Sequence, residues 1–268
     1  MNSIQITIEA SEPQQEILIS QLADLDCEGF EQTEKHLIAY FSEHVFKSYA
    51  VNDLLKGYSI IVNTIEEKNW NEEWENNFQP VTVDEFCAIR AEFHEPIKNV
   101  QYEIIITPKM SFGTGHHATT YMMIEQMRDI DFKNKSVFDF GTGTGILAIL
   151  AEKLSATNII AIDVDDWSIE NAKENIARNN CSRIYVSRSS QIPSGTFDLI
   201  LANINRNVVL DYLPQLKNSL RNKGFLLLSG LLNTDEEEIK NACTGYGLRF
   251  MKQSERNNWI SVLFINGI

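Results

Sequence analysis

The sequence predicts an α/β molecule: a doubly wound, mostly parallel sheet of seven strands, preceded by a smaller α+β domain. Three observations carry this expectation. From residue 107 to the end, apolar strand-like runs alternate with amphipathic helical segments, the signature of βαβ units. Within that stretch Val137-Phe-Asp-Phe140 runs into three alternating glycines, Gly141, Gly143 and Gly145, and then into the apolar Ile146-Leu-Ala-Ile-Leu150. A strand that turns sharply into a helix needs such positive-φ positions. The first 66 residues follow a different order, β-α-β-β-α-β, which is the split-βαβ, ferredoxin-like arrangement.

In chain order, Ile4, Ile6 and Ile8 alternate as a half-buried strand. Ser11-x-x-Gln14, with Pro13 in the first turn, opens a helix whose Leu18, Leu22 and Leu25 share a face. Strands are expected at 28–31 and 36–41, a helix at 45–56 and a strand at 58–63. Residues 1–66 hold no nucleophile paired with a base, so they are expected to be a recognition domain. Trp70, Trp74 and Phe78 then recur at four-residue intervals, a stripe expected to dock one helix at a junction. Gln79-Pro80 ends it, and strands near Val81 and over 86–90 complete a connecting segment, 67–106. The remaining domain, 107–268, starts strands at Val137, Asn158, near Ile184 and at Phe197, with helices from Ile146 and Asp166. Helix 206–220, strand 224–229 and helix 235–242 follow. Strands 248–253 and 259–264 have no helix between them, which predicts an antiparallel hairpin at the sheet edge.

The chain has 268 residues, 43% of them hydrophobic, and no apolar run long enough to span a bilayer. The segment Met1–Ile8 lacks the basic and apolar regions of a secretory signal, so a soluble, cytoplasmic protein is expected. Cys27, Cys87, Cys181 and Cys243 are scattered singly, which indicates neither a disulfide framework nor a zinc site. The net charge of −14 is uneven: residues 1–95 hold 19 Asp/Glu against 5 Lys/Arg, whereas 96–268 hold 18 of each. Acidity of that kind repels nucleic acid and attracts basic partners. Simple solubility is the alternative explanation.

The glycine spacing is GxGxG, whereas a dinucleotide fingerprint needs its third glycine one position later, where Ile146 stands. Phosphate cradling is therefore disfavoured. Asp163, 22 residues beyond Gly141 at the end of Asn158-Ile-Ile-Ala-Ile-Asp163, is where the second strand of a βαβ unit ends. A carboxylate there can accept hydrogen bonds from both hydroxyls of a ribose. Its competing role, helix capping, falls better to Asp165 or Asp166. A ligand with a ribose and an amino-acid head fits this combination, and S-adenosylmethionine is the expected cofactor. No metal is called for.

Five segments together carry a resemblance: Phe112-Gly-Thr-Gly-His-His-Ala-Thr-Thr120, Asp139-Phe-Gly-Thr-Gly-Thr-Gly145, Ala161-Ile-Asp-Val-Asp165, Leu201-Ala-Asn-Ile204 and Leu228-Ser-Gly-Leu-Leu232. They resemble the PrmA family, methyltransferases of the ribosomal large-subunit protein numbered eleven, and the W-x-x-x-W-x-x-x-F-x-P pattern of 70–80 extends the likeness over nearly the whole chain. The GTGxHxTT segment is the specific part. The resemblance implies that Thr120, Gly141, Asp163 and Asn203 surround S-adenosylmethionine, with Gly143 of the same glycine loop a further expected contact, and it is the sole ground for Thr120. It also marks Phe112 as a candidate cover for the cofactor or the target amine. Asn203 is the expected catalytic residue, because it ends the fourth parallel strand where amine methyltransferases carry an Asn or Asp. The following Ile204-Asn-Arg206 lacks the aromatic that stacks a flipped base, so an aliphatic amine is the expected acceptor. His116 and His117 invite a base role, yet the family often has another residue at the position of His116, and Ala118 stands where a proline is common.

The expected function is methylation of amines on that basic ribosomal protein, captured by the acidic N-terminal domain, with neither nucleic acid nor membrane as partner. Two alternatives stand beside it: a methyltransferase for another protein or small-molecule amine, and a cofactor-binding interaction protein without catalysis.

Overall fold

The computed structural model describes residues 3–23, 25, 27–46, 49–65, 79–107 and 117–267. The stripe of Trp70, Trp74 and Phe78 lies outside them, as do Phe112 and His116. The chain divides into two compact units, residues 1–77 and 78–268.

In the first unit, β1 (Ser3–Glu9), α1 (Glu12–Ala23), β2 (Gly29–Gln32), β3 (His36–Ser42), α2 (Glu43–Phe46), α3 (Tyr49–Leu54) and β4 (Ile60–Ile65) follow in sequence. The sheet order is β2-β3-β1-β4 with every pair antiparallel, the ferredoxin-like topology. Alternation puts Ile4, Ile6 and Ile8 of β1 on the same face as Leu37, Ala39 and Phe41 of β3, where they bury against Leu18 and Leu22 of α1. Both the amide and the hydroxyl of Ser11 donate to Gln14 Oε1, at 3.0 and 2.8 Å, closing the start of α1. Over 45–56 the chain forms two short helices, not the single one expected.

The second unit opens with a three-stranded sheet, β5 (Val81–Val83), β6 (Cys87–Ala91) and β7 (Tyr102–Ile106), in that order. Its Ile89, Ile104 and Ile106 share an apolar cluster with Met123 and Met127 of α4 (Ala118–Met127). The sequence pattern did not single out β7. Then come β8 (Ser136–Phe140), α5 (Ile146–Lys153), β9 (Asn158–Asp163), α6 (Asp166–Arg178), β10 (Ile184–Arg188), β11 (Phe197–Asn203), α7 (Arg206–Asn218), β12 (Leu220–Leu232), α8 (Glu236–Gly245), β13 (Leu248–Arg256) and β14 (Trp259–Asn266).

Seven strands order as β10-β9-β8-β11-β12-β14-β13. All neighbours are parallel except those of β14, which runs antiparallel to both β12 and β13, so the expected edge hairpin is present. The chain winds outward from β8 through β9 to β10, then crosses to β11 and β12. That reversal puts the topological switch point between β8 and β11, where open α/β sheets bind ligands beyond their strand ends. One sheet face packs on α4 and α5, the other on α7 and α8 through Val209, Leu213, Ile239 and Cys243. Burial of Ile146, Leu147, Ile149 and Leu150 on α5 is worth about 1.5–3 kcal/mol per side chain, enough to hold a helix of only eight residues.

Candidate active site

Three neighbouring strands end at the switch point, β9 in Asp163, β8 in Phe140 and β11 in Asn203. The glycine loop leaves β8 there. Gly141, Gly143 and Gly145 all have positive φ, at 76°, 54° and 82°, a region that penalises any residue with a Cβ. Space adds a second constraint: a Cβ on Gly141 would come within 2.4 Å of Ile204 Cγ2. At Gly145 it would press on Ala172 Cβ of α6 at 3.3 Å, so this glycine allows α6 to approach.

Most of the loop's amides are engaged inside the protein. Gly141 N–H and Thr142 N–H both donate to the Ile162 carbonyl at 2.9 Å, and Gly145 N–H donates to Thr142 O at 2.9 Å. Gly143 N–H donates to Asp163 Oδ2 at 2.9 Å. A phosphate cradle needs free N–H donors, and these four are not free. The loop instead offers shape and a neighbouring carboxylate.

Asp163 also accepts from Asp165 N–H through Oδ1 at 3.1 Å. Each carboxylate oxygen has two lone pairs, so one contact each leaves capacity for a diol. Capping of α6 falls to Asp165, which accepts from Trp167 N–H and Ser168 N–H. The helix-capping role weighed against a ligand role for Asp163 thus belongs to Asp165.

Behind the loop, Asp139 is fully buried on β8. Burial pushes its carboxyl up to about 7; the Thr142 hydroxyl, donating at 2.6 Å, works in the opposite direction, and the charge of Asp163 adds to the rise.

Asn203 and Thr120 meet although they are 83 residues apart: Asn203 Nδ2 donates to Thr120 Oγ1 at 3.2 Å. Thr120 lies in the first turn of α4 and is 1% exposed. With Nδ2 held, Asn203 Oδ1 is buried without a hydrogen-bond partner among the described residues. A buried acceptor left unmatched costs free energy unless a ligand supplies a donor. Next along the chain, Ile204 N–H donates to Ser229 O at 3.1 Å. Gly230, with φ at 80°, lies so close that a Cβ would meet the Ile204 carbonyl oxygen at 2.4 Å. The sequence marked Gly230 only as part of a motif; its work is to let the backbone of Asn203-Ile204 pass. Asn205 caps α7 by accepting from Val208 N–H, and Arg206 pairs with Asp235 and Glu238 at 3.1 and 3.3 Å.

His117 is the N-cap of α4. Its Nδ1 lies 2.8 Å from Thr119 Oγ1 and accepts from Thr119 N–H, while its ring meets Trp259 edge-on at 4.8 Å.

Gly141, Gly143, Asp163, Val164, Asn203 and Ile204 line a cleft of about 410 Å³. A narrow recess of about 20 Å³ continues from it past Thr120 and Thr144. The size suits a small cofactor. S-adenosylmethionine fits the donor set: a carboxylate for the ribose, an exposed apolar Val164 for the purine, and loop amides unavailable to phosphate. Among the described residues no group of His, Cys, Asp and Glu could hold a metal ion, and no helix is long and apolar enough to cross a membrane.

Comparison with known proteins identifies the family and the fold. Residues 2–266 match the family model described as ribosomal protein L11 methyltransferase (PrmA). Ribosomal protein L11 methyltransferases from Phocaeicola vulgatus and Porphyromonas gingivalis are 38% and 39% identical to the chain. The first alignment covers 92% of both chains, the second 93% of this chain and 90% of its relative. The crystal structure of a ribosomal protein L11 methylase from Lactobacillus delbrueckii subsp. bulgaricus superposes with a TM-score of 0.66 at 30% identity, over 71% of this chain and all of that one. A methyltransferase from Pyrococcus furiosus, 21% identical with a TM-score of 0.53 over 62% of this chain and 90% of its own, shares the fold.

Proposed function

The chain belongs to the ribosomal protein L11 methyltransferase (PrmA) family, and from that premise we propose that it transfers methyl groups from S-adenosylmethionine to amino groups of ribosomal protein L11. The observation that carries this reading is the Oδ1 of Asn203, buried and unpartnered among the described residues, beside the glycine loop and Asp163. S-adenosylmethionine supplies an electrophilic sulfonium methyl group, open to in-line attack by a nitrogen lone pair.

The residues then have distinct tasks. Asp163 accepts the ribose hydroxyls and, by holding Gly143 N–H, fixes the loop at the same time. Gly141 and Gly143 form the floor. Thr120 orients the Asn203 amide, so that Oδ1 accepts a hydrogen bond from the incoming amine and aims its lone pair. An amine must be neutral to attack, and lysine starts near a pKa of about 10.4. Burial against an uncharged acceptor lowers that value, whereas a carboxylate at 203 would raise it. Residues 1–66 form the recognition domain in this proposal, their acidity drawing a basic substrate, with the enzyme working in the cytoplasm without nucleic acid or membrane.

The test is intact-mass spectrometry of ribosomal protein L11 after incubation with the enzyme and S-adenosylmethionine. Methyl-sized increments that fall away with Asn203→Ala are expected. Cofactor binding without increments would sink the choice of acceptor.

A further inference from the structure

Asn171, Asn175 and Asn179 recur every four residues along α6 and its C-terminal cap, so they share one helical face. Asn171 and Asn175 are 0% exposed. Burying an amide is costly unless it is hydrogen-bonded, so this face calls for a reason beyond packing.

Part of the reason lies in β7. Ile105 N–H donates to Asn179 Oδ1 at 3.0 Å, and Asn179 Nδ2 donates back to Ile105 O at 2.7 Å. Two residues on, Thr107 N–H donates to Asn175 Oδ1 at 2.8 Å. Four residues of helix rise about 6.0 Å and two residues of strand about 6.6 Å, so the amides match the strand's spacing. They take the place of a neighbouring strand along the edge of β7 that β6 leaves open.

That role needs only the oxygen of Asn175. Its Nδ2 is turned the other way, donating to Thr144 O in the glycine loop at 2.8 Å and to Asn171 Oδ1 at 3.1 Å. Thr144 stands between Gly143, tied to Asp163, and Gly145, whose amide closes the turn on Thr142 O.

We propose that Asn175 is a positioning residue for the methyl donor: by holding the Thr144 carbonyl against α6, it sets the glycine loop at the height that cofactor binding requires. This rests on the S-adenosylmethionine reading of the cleft. Asn175 touches no cofactor atom in this proposal and acts only through the loop. The contact is made before any acceptor arrives, so it contributes equally to ground and transition states. Such a contact governs affinity, not the rate at saturation.

Asn175→Asp separates the two roles, because it keeps an acceptor for Thr107 N–H but sets a carboxylate oxygen against the Thr144 carbonyl. Asn179→Ala removes the hold on Ile105 of β7 and leaves the loop contact in place. Calorimetric titration of the full-length proteins with S-adenosylmethionine and S-adenosylhomocysteine is expected to show Kd raised by about tenfold or more in Asn175→Asp. Turnover at saturating cofactor stays within about threefold of the parent. Asn179→Ala is expected to lower Tm while Kd is kept. If Asn175→Asp does not fold, Asn175→Ala, which adds no charge, is measured instead and is expected to move Kd in the same direction. A folded variant at 175 with unchanged Kd overturns the proposal, as does an equal change of Kd in the 175 and 179 variants. A parent enzyme that binds neither cofactor form overturns the reading of the cleft itself, which separates the two failures.

Discussion

Asp139 is the residue whose behaviour is least evident from its chemistry, since a carboxyl normally titrates near a pKa of about 3.9 and this one is held up to about 7 by burial. A raised folded-state pKa means that the native protein binds the proton more tightly than the unfolded chain. The associated stabilisation is complete below the unfolded value and is lost as pH rises through about 7. Asp139→Asn cannot titrate and keeps an acceptor for the Thr142 hydroxyl. Its Tm is therefore expected to improve relative to the parent as pH goes from about 4 to 8; a difference that stays flat with pH, followed by calorimetry, would refute it. Asn203→Asp tests the neutral-acceptor argument at the same scale. Its carboxylate would stabilise the protonated amine, so activity is expected to fall about tenfold or more at neutral pH and to recover in part at high pH. A pH profile parallel to the parent's would remove that role. At Gly141, introducing a side chain meets Ile204 first, so Gly141→Ala is expected to displace the Asn203-Ile204 segment as well as to strain φ.

At the level of elements, Gly230 is the point on which β11 and β12 depend. Its missing Cβ leaves room for the Ile204 carbonyl, and the register of β12 against β14 shifts between Leu228 and Leu231. Gly230→Ala combines a positive-φ penalty with a backbone collision, a cost of about 2–4 kcal/mol. Chemical denaturation is expected to show that loss together with reduced turnover; full activity in the variant would mean that the crossing is not needed. The glycine loop, the second acid at Asp163 and the edge hairpin were legible because each is local: glycine spacing, a 22-residue interval and two strand runs without a helix. The meeting of Thr120 with Asn203 was not, because nothing in the first turn of a helix announces a contact 83 residues away; the family likeness set both residues around the cofactor without pairing them. The extent of β12 was also hidden. Arg221-Asn-Lys-Gly224 has the composition of a turn, and Lys223 takes a φ of 60°, yet the strand runs from Leu220 through it to Leu232. β7 was passed over although Tyr102-Glu-Ile-Ile-Ile106 is rich in β-branched residues; what the sequence does not announce is that its outer edge is held by asparagine side chains of a helix.

Across the whole chain, the surplus of acid lies in residues 1–95 and the remainder balances. If that surplus draws in a basic substrate, added salt screens it, because the Debye length falls from about 10 Å at 0.1 M to about 3 Å at 1 M. KM for ribosomal protein L11 is expected to rise with salt while the cofactor Kd changes little, and charge reversal at Glu12, Glu16 and Glu34 should flatten the salt dependence. Equal salt responses in parent and variant, measured by steady-state kinetics, would assign the acidity to solubility alone. The asparagine face of α6 has a consequence for how this molecule breathes. The outward amides of Ile105 and Thr107 are held by a helix's side chains, so their protons exchange with solvent when that helix moves away, not when the three-stranded sheet frays. In a hydrogen-exchange map they would keep time with α6 and the glycine loop, making the front of the second unit and that loop a single cooperative unit.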